Sequence, residues 1–517
     1  MQRAYTFTLM FVAVALPLSN AMMSVATGLL GMLWLVDCAR NLSAARWRSV
    51  FDKNAVSVGL IGLYLLHVVG LAWTQDWGYG LHDLRVKLPL LALGLAGAFS
   101  LGFSGATADP AARDRILKAF LFAVLAALAG LVLNAAFFSD QFSHGRQVSV
   151  YISHVRFGMM LSFSVVVARY LAASSRWWLA VLLVVIAGLW WMQAVTGFAL
   201  LAVLAPWWAL PRNCSQRLRF RSAMIGGAAL VLGASMLLKV GPGFADEPLR
   251  AANLPTHSAA GEHYVHMDGS YTRENGHWVW ASVAWGELAS AWNERSEMPF
   301  NGENIKGKSL SGPLIRFLAS KGQPKDAVGV ASLTAEEIAA IERGVPSIVE
   351  LHGSGLIVRW NRFQFAWGRW RDGQGVQGSS ALQRAEHLRA AWTVISTHPW
   401  FGVGTGDVRD ATASAYQQMD SGLAPAFQHR AHNQYLALWE AFGVIGFLAL
   451  LGWLILAARR GLQEGADGLL LPFIALVAVS FLTQDTLETQ SGVTLVAWGV
   501  VVLSAWRSKG SHRNPAA

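Results

Sequence analysis

Residues 116–138 read ILKAFLFAVLAALAGLVLNAAFF, an apolar run with a single lysine near its start. A helix needs about 20 predominantly apolar residues to cross the ~30 Å hydrocarbon core of a bilayer. Arg113 and Arg115 precede the run, and the first charge after it is Asp140. Because cytoplasmic flanks accumulate Lys and Arg, this pattern predicts a membrane-spanning helix that enters from the cytoplasm.

Eleven further apolar runs extend the same pattern along the chain. They lie at approximately 3–20, 22–38, 55–73, 86–102, 155–172, 176–193, 194–210, 222–240, 436–457, 468–484 and 492–507. The composition agrees, with 54% hydrophobic residues, 14% charged residues and a mean hydropathy of +0.38. Soluble proteins carry about 25% charged residues. The sequence therefore predicts an all-α polytopic membrane protein with about twelve transmembrane helices.

The charges indicate how the chain is oriented. Basic residues concentrate in alternate connections, for example around Arg46, Arg113, Arg217 and Arg459. This alternation predicts cytoplasmic termini. The formal net charge of +10 is then explained by the basic cytoplasmic connections that orient the chain in the membrane. No nucleic-acid partner is expected.

One connection is far longer than the others, and it divides the chain. We predict an N-terminal membrane region of about nine helices at 1–240, a periplasmic insert at 241–434, a C-terminal membrane region of about three helices at 435–507 and a cytoplasmic tail at 508–517. Within the insert, alternating residues and turn signals predict a small hairpin that ends near 283. Helical patterns follow at 284–296, 311–321, 334–343, 355–370 and 380–397. The insert is thus predicted to be a small α+β unit.

The segment QHRAHNQYL at 428–436 runs directly into the tenth predicted span. A histidine at the mouth of a membrane helix can act as a base near neutral pH, so His432 is the candidate catalytic base. Arg430 and Asn433 beside it are candidates for substrate binding. The alternative is a polar helix start with Asn433 as the N-cap.

A second candidate segment begins at Arg384 and ends in THPWFGVGTGD at 397–407. Arg384 and Arg389 lie on one predicted helix, and arginine offers a fork of donors that suits phosphate oxygens. The glycines would let the backbone approach a ligand closely. The alternative is a turn that ends the helix. Because no Lys-Ser or Lys-Thr follows the glycines, a P-loop is not supported.

These two segments together resemble the O-antigen ligase and O-antigen polymerase superfamily. The resemblance rests on the helix-PWFGVGTG run, on His432-Asn433 about 30 residues later, and on the GVIG at 443–446 after nine more residues. Such proteins are bacterial inner-membrane glycosyltransferases with a large periplasmic loop. The motifs cover the C-terminal third of the chain, and the predicted topology covers the rest.

The resemblance implies transfer of a glycan from an undecaprenyl diphosphate carrier without a metal or another cofactor. The lipid A core of lipopolysaccharide is the first expected acceptor; a second repeat unit or a protein hydroxyl would indicate a polymerase or a protein O-oligosaccharyltransferase. The family's histidine maps to His432 and its loop arginine maps to Arg384. We expect that His432→Ala and Arg384→Ala each abolish transfer while leaving expression normal.

The sequence departs from the family at one position. A further arginine, expected near 194–197, is absent. Arg156, at the predicted periplasmic mouth of the sixth span, is the candidate substitute for binding the diphosphate. Asp485 and Glu488, between the last two spans, could orient His432 or bind sugar, and a solvated turn is the alternative.

Other classes of membrane protein fit less well. A metal-dependent oligosaccharyltransferase should carry acidic residues in its first periplasmic loop, which here is only SNA at 19–21. The irregular spacing of His257, His263 and His266 does not favour a metal site. A transporter should place ionisable residues near mid-membrane, and the predicted spans are almost free of charge at their centres. A non-catalytic scaffold is the remaining alternative, and the missing arginine supports it.

Overall fold

A computed structural model describes residues 1–40, 55–137, 152–192, 195–211, 214–227, 247–353, 355–375, 379–464 and 468–504. The chain divides into two compact units. The first comprises residues 1–230, 387–419 and 429–517, and the second comprises 231–386 and 420–428. The described residues are mostly helical.

The first unit begins with nine labelled helices. They are α1 (Gln2–Leu18), α2 (Asn20–Arg40), α3 (Ala55–Gly70), α4 (Trp77–Phe99), α5 (Leu101–Ala108), α6 (Pro110–Phe137), α7 (His154–Leu171), α8 (Trp178–Trp191) and α9 (Val195–Ala209). A further helical stretch covers 216–227.

The second unit contributes six shorter helices. They are α10 (Trp285–Arg295), α11 (Ser311–Ser320), α12 (Ala327–Ala331), α13 (Ala335–Glu342), α14 (Ile348–His352) and α15 (Gly355–Arg371). Helix α16 (Ser380–Thr397) starts in the second unit and ends in the first. The first unit is completed by α17 (Val408–Gln418), α18 (Gln434–Leu462), α19 (Leu470–Thr483) and α20 (Gln490–Leu503).

The predicted membrane spans coincide with helices wherever the structure describes them. Four helical segments are long and apolar enough to cross a membrane: Asn20–Arg40, Ala55–Trp73, Pro110–Phe137 and Gln434–Leu462. Five shorter apolar helices accompany them within the described ranges. The ninth predicted span lies mostly outside the described residues, which stop at 227 and resume at 247. The chain is therefore an α-helical membrane protein, and the full count of twelve spans stays a prediction.

Helix α20 is buried along most of its length and lies against α1, α4 and α19. Trp498 at its middle is fully buried, and its indole Nε1 donates to the backbone oxygen of Leu9 in α1 at 3.3 Å. Burying this large ring with its one polar group satisfied fixes α20 in the interior of the first unit.

The second unit is built around its own apolar core. Val279, Trp292, Phe317 and Ile341 are among the side chains that form this core. The five helical stretches predicted for the insert agree with the structure to about one residue, and so does the capping box of α13, in which Thr334 and Glu337 bond reciprocally. Local periodicity and capping are short-range signals, which explains this agreement.

The predicted α+β character of the insert is wrong. Among the residues described there, strand pairing is limited to β1 (Arg273–Glu274) and β2 (His277–Trp278), with four isolated bridges. The Asn275-Gly276 turn does join the two strands, since both residues have positive φ, of 50° and 85°. The alternation between 264 and 271 forms no strand, because a turn with Gly269 at φ of 80° ends the extended stretch soon after it begins.

Asp372 holds the turn before β1 against the end of α15. Its carboxylate accepts from the backbone N of Tyr271 at 2.6 Å and from the hydroxyls of Ser270 at 2.7 Å and Thr272 at 2.5 Å. Hydrogen bonds to a charged group contribute about 1.5–3 kcal/mol each. We expect Asp372→Ala to lower the local stability of the second unit by about 2–4 kcal/mol.

Limited proteolysis of the purified protein measures this effect, because cleavage of the opened unit tracks its opening free energy. The exposed Glu336 provides the matched control, Glu336→Ala. An Asp372→Ala protein that is cleaved no faster than this control would contradict the stabilising role.

Candidate functional site

The turn that leads into α18 gives His432 an unusual backbone. His432 has φ of 48°, in the left-handed region that residues other than glycine seldom adopt. Asn433 follows as the N-cap, and its Oδ1 accepts from the backbone N of Leu436 at 3.1 Å. Its Nδ2 donates to the backbone oxygen of Leu482 at 3.3 Å. The N-cap interpretation of Asn433 is thus confirmed, and the side chain also ties the turn to the end of α19.

His432 faces an acidic residue from the connection between α19 and α20. Its Nδ1 lies 3.6 Å from Oδ1 of Asp485, which immediately precedes a 3-10 turn at Thr486–Glu488. The same Oδ1 lies 3.9 Å from Nη2 of Arg156, in the first turn of α7. Three segments far apart in the sequence therefore bring together a histidine, a carboxylate and an arginine.

In this group the neighbouring charges outweigh the effect of burial. Burial alone would raise the pKa of the Asp485 carboxyl, but His432 and Arg156 outweigh that effect and hold the pKa below its usual range. Within the described part of the chain, neither Nδ1 of His432 nor Nε of Arg156 has a hydrogen-bond partner, although both atoms are buried. The side chain of His432 as a whole is 31% exposed. The ring thus turns Nδ1 towards Asp485, while part of the side chain stays exposed.

Two more histidines surround His432. The ring of His387, on α16, lies edge-on to that of His432 with centroids 5.4 Å apart, and His429 lies 6.0 Å from His432. His387 is buried and also contacts the ring of Tyr416, whose hydroxyl donates to the backbone oxygen of His429 at 2.7 Å. Sequence reasoning missed His387, because it lies 45 residues before His432 in a helix that shows no distinct motif.

Glu488 is buried in a polar network next to this group. Its Oε2 accepts from Nζ of Lys87 and from Nη1 of Arg430, each at 2.9 Å. Its Oε1 accepts from Nε2 of Gln434 at 3.0 Å, and Oε1 of Gln434 accepts from the backbone N of Leu487 at 2.6 Å. Both carboxylate oxygens are therefore engaged by the protein itself.

The charges in this network balance one another. Burial would raise the pKa of the Glu488 carboxyl, but Lys87 and Arg430 hold it well below the ordinary value of 4.5. A carboxyl whose pKa is lowered by folding stabilises the fold above its unfolded pKa, and the contribution disappears as the pH falls through the folded value. Glu488 consequently stays ionised at neutral and mildly acidic pH.

The glycine-containing segment after α16 packs into a break in α18. Gly443 interrupts that helix with φ of 63° and ψ of −159°. The backbone N of Val403 donates to the oxygen of Glu440, and the backbone N of Val444 donates to the oxygen of Pro399, each at 2.9 Å. The loop backbone therefore takes over hydrogen bonds that an unbroken helix would make internally.

The glycines serve this close packing. A Cβ atom at Gly402 would lie 2.4 Å from the backbone of α18, and one at Gly406 would lie 2.1 Å from the backbone oxygen of Asp76. At Gly443, a Cβ atom would lie 2.1 Å from the backbone of Trp400. The space beside these glycines is thus filled by the chain itself. The alternative interpretation, a turn that ends the helix, agrees with the end of α16 at Thr397. A close approach of these glycines to a ligand stays a prediction.

The two predicted arginines on α16 are both exposed. Arg384 belongs to the second unit and Arg389 to the first. Each takes part in interactions within the protein. Their predicted roles in catalysis and substrate binding stay predictions.

The histidines of the insert do not form a metal centre in the described ranges. No group of three or more His, Cys, Asp or Glu side chains in those ranges is arranged to hold a metal ion. His257 and His263 do contact each other, with ring centroids 5.1 Å apart, and their backbones form an isolated bridge.

Lys87, Asp83 and Tyr79 are the charged and polar residues that the sequence reasoning overlooked. The predicted fourth span starts at 86, whereas α4 begins at Trp77, so Lys87 lies in the middle of the helix. The centre of the predicted span is uncharged, and the charged residues of α4 lie at or before its start. An acidic and a basic residue four apart in an apolar helix are the signal that could have identified the pair.

Comparison with known protein families identifies one match. Residues 329–451 match the family model described as O-antigen ligase. The matched region includes α16, the loop packed into α18, His432 and the break at Gly443. A search of curated proteins found no match to the chain.

Proposed function

We propose that the chain moves a glycan from undecaprenyl diphosphate to an acceptor hydroxyl. The match of residues 329–451 to the O-antigen ligase family supports this proposal. The superfamily consists of membrane glycosyltransferases of the ligase or polymerase type, and the helices of this chain fit such an enzyme. The lipid A core of lipopolysaccharide is the proposed acceptor. The reaction is proposed to take place at the periplasmic face of the bacterial inner membrane, with both termini in the cytoplasm.

The observation that supports this proposal best is the convergence of His432, Asp485 and Arg156. With Nδ1 turned towards Asp485 at 3.6 Å, the imidazole presents Nε2 to a substrate. In this orientation the neutral ring carries its proton on Nδ1, and Nε2 accepts the proton of the acceptor hydroxyl. Asp485 stabilises the imidazolium that forms, as a carboxylate does beside a catalytic histidine.

Arginine would bind the leaving group. As the acceptor oxygen bonds to the anomeric carbon, the bond from that carbon to the diphosphate oxygen breaks, and its electron pair stays on the diphosphate. Direct displacement inverts the linkage. Arg156 offers a cation where this charge develops, and its buried Nε, which lacks a partner among the described residues, is suited to a phosphate oxygen.

The helix that carries Arg156 packs near the position where the missing family arginine is expected, which supports Arg156 as the proposed substitute. The family position maps near 194–197, at the start of α9. The hydroxyl of Ser162, in α7, donates to the backbone oxygen of Gly197 at 3.0 Å. The start of α9 therefore packs against α7, the helix that carries Arg156. For Arg384, a role as a second cation rests on the resemblance alone.

Three acceptors distinguish the branches of the superfamily. Purified protein in proteoliposomes would receive undecaprenyl-diphosphate glycan together with lipid A core, free repeat units or a Ser/Thr-rich protein. We expect product on lipid A core, both with and without EDTA. Product on repeat units or on protein instead would assign the polymerase or the protein O-oligosaccharyltransferase activity. No product on any acceptor would contradict the proposal.

Asp485 provides a sharper test of the geometry. We expect Asp485→Asn to lower kcat about 100-fold while KM changes little, because the amide cannot stabilise the imidazolium. The exposed Asp410 on α17 offers the matched control, Asp410→Asn. Steady-state kinetics of both variants measure the difference, and a kcat for Asp485→Asn equal to that of the control would exclude this role.

A further inference from the structure

We propose that Lys87, buried in α4, is a positioning residue that holds His432 and Asp485 together. The inference rests on the proposed function. Lys87 is 1% exposed, and its Nζ donates to Oδ1 of Asp83 at 2.6 Å and to Oε2 of Glu488 at 2.9 Å. Because the ammonium is fully enclosed and both contacts are protein carboxylates, Lys87 does not touch a substrate.

Helix α4 presents a polar stripe to the segments that carry the site. Tyr79, Asp83 and Lys87 follow one another at intervals of four residues, which places them on one face of the helix. The hydroxyl of Tyr79 accepts from Nη2 of Arg430 at 3.0 Å, and the ring of Tyr79 lies under the same guanidinium. We call Asp83, Lys87, Glu488, Arg430, Tyr79 and Gln434 the Lys87 network.

The Lys87 network reaches both members of the His432 and Asp485 pair. Arg430 precedes His432 by two residues, and Glu488 follows Asp485 by three. Since Arg430 and Lys87 share Oε2 of Glu488, the turn before α18 and the turn between α19 and α20 are fastened to α4 at one point.

The backbone of His432 shows why such fastening is needed. Its φ of 48° is unfavourable for a side chain with a Cβ atom and persists only where the surroundings enforce it. Arg430 on one side and the N-cap Asn433 on the other hold this turn. The gap of 3.6 Å between His432 and Asp485 depends on both turns keeping their places.

Within the Lys87 network the opposite charges are equal in number, and the buried Glu440 lies near Arg430 outside it. Two carboxylates, Asp83 and Glu488, balance two cations, Lys87 and Arg430. Removing one member leaves an uncompensated buried charge, whereas removing an oppositely charged pair leaves the rest balanced. A variant that removes such a pair should therefore fold, so that a loss of activity in it reports a loss of positioning.

The test compares Lys87→Met with the double variant Lys87→Met/Glu488→Gln. The single variant should lower kcat at least 30-fold and change the KM for the lipid-linked donor less than threefold. The double variant should have a kcat at least tenfold higher than the single variant, because the amide introduced at position 488 still bonds to Arg430. Its kcat should remain at least threefold below that of wild type. Arg85→Met, an exposed position on the same helix, is the matched control.

A second readout does not depend on activity. With Cys38 and Cys214 replaced by serine, the substitutions His432→Cys and Asp485→Cys are introduced, and the rate of disulfide formation under copper-phenanthroline oxidation is measured. Lys87→Met should slow this rate at least tenfold, and the double variant should restore most of it. The Arg85→Met background should leave the rate unchanged.

The outcomes separate this inference from the proposed function. If wild type transfers no glycan, the proposed function fails, and the cross-linking rates still decide whether Lys87 positions the pair. Lys87→Met with wild-type kcat and cross-linking would overturn the inference, and so would a raised KM with unchanged kcat. If Lys87→Met does not fold, the double variant decides alone. A wild-type kcat and cross-linking rate in the double variant would overturn the inference about Lys87. The intermediate values stated above would support it.

Discussion

Replacement of His432 by alanine is expected to lower kcat for glycan transfer about 100- to 10,000-fold, the range that positioned acid–base groups contribute. The imidazole accepts the proton of the acceptor hydroxyl, and Arg156, which also lies beside Asp485, cannot replace it because a guanidinium is not a base at neutral pH. Arg384→Ala is expected to cause a loss of similar size if this arginine binds the diphosphate. Steady-state transfer assays measure both.

His398 supplies the control for this experiment. It is an exposed histidine in the first unit, and its Nδ1 contacts only the hydroxyl of the adjacent Thr397, at 3.0 Å, among the contacts found in the described structure. His398→Ala should therefore keep wild-type activity. Equal activity in His432→Ala and His398→Ala would contradict the role of His432 as the catalytic base.

Replacement of Gly443 by alanine is expected to prevent the first unit from folding normally. The new Cβ would lie 2.1 Å from the backbone of Trp400, and alanine would be forced to φ of 63° and ψ of −159°. Strain of this kind and overpacking each cost about 1–3 kcal/mol, so the combined loss is about 2–6 kcal/mol. Fluorescence-detected size exclusion and thermal unfolding measure the effect.

Gly452 is the matched control in the same helix. No atom lies within 4 Å of a Cβ built at this exposed position, and alanine favours helix more than glycine does. Gly452→Ala should therefore yield protein at least as stable as wild type. A Gly443→Ala protein with wild-type yield and melting temperature would contradict the packing of the loop into α18.

The helices were predictable because their signals are local. Apolar runs and the Thr334 capping box depend on neighbouring residues, and α15 and α16 agree with the sequence prediction to about one residue. The motif spacing also has a local explanation. The nine residues between Asn433 and Gly443 form the first part of α18, between its N-cap and the break that admits the loop.

The polar network could not be predicted in the same way. Lys87 and Glu488 are 401 residues apart, and neither residue alone indicates the other. Glu488 was predicted to bind substrate, but its oxygens are occupied by Lys87, Arg430 and Gln434, which favours an interior role. Pairings of this kind follow from tertiary packing, for which a single sequence provides no periodic signal.

The sequence identified Arg156 as a substitute for an arginine missing near 194–197, and the structure locates it 3.9 Å from Asp485. Its role in binding the diphosphate stays a prediction.

The central claim is that the lipid diphosphate bond is cleaved with the aid of His432. The most direct measurement counts undecaprenyl diphosphate released per glycan transferred, in proteoliposomes supplied with EDTA, for wild type and for His432→Ala. We predict one diphosphate released per glycan linked by wild type. For His432→Ala we predict that the rate of release falls by the same 100- to 10,000-fold factor as the rate of transfer. If wild type leaves the donor uncleaved, that result contradicts the account. If wild type and His432→Ala also move the uncleaved donor across the membrane equally well, the result favours a transporter.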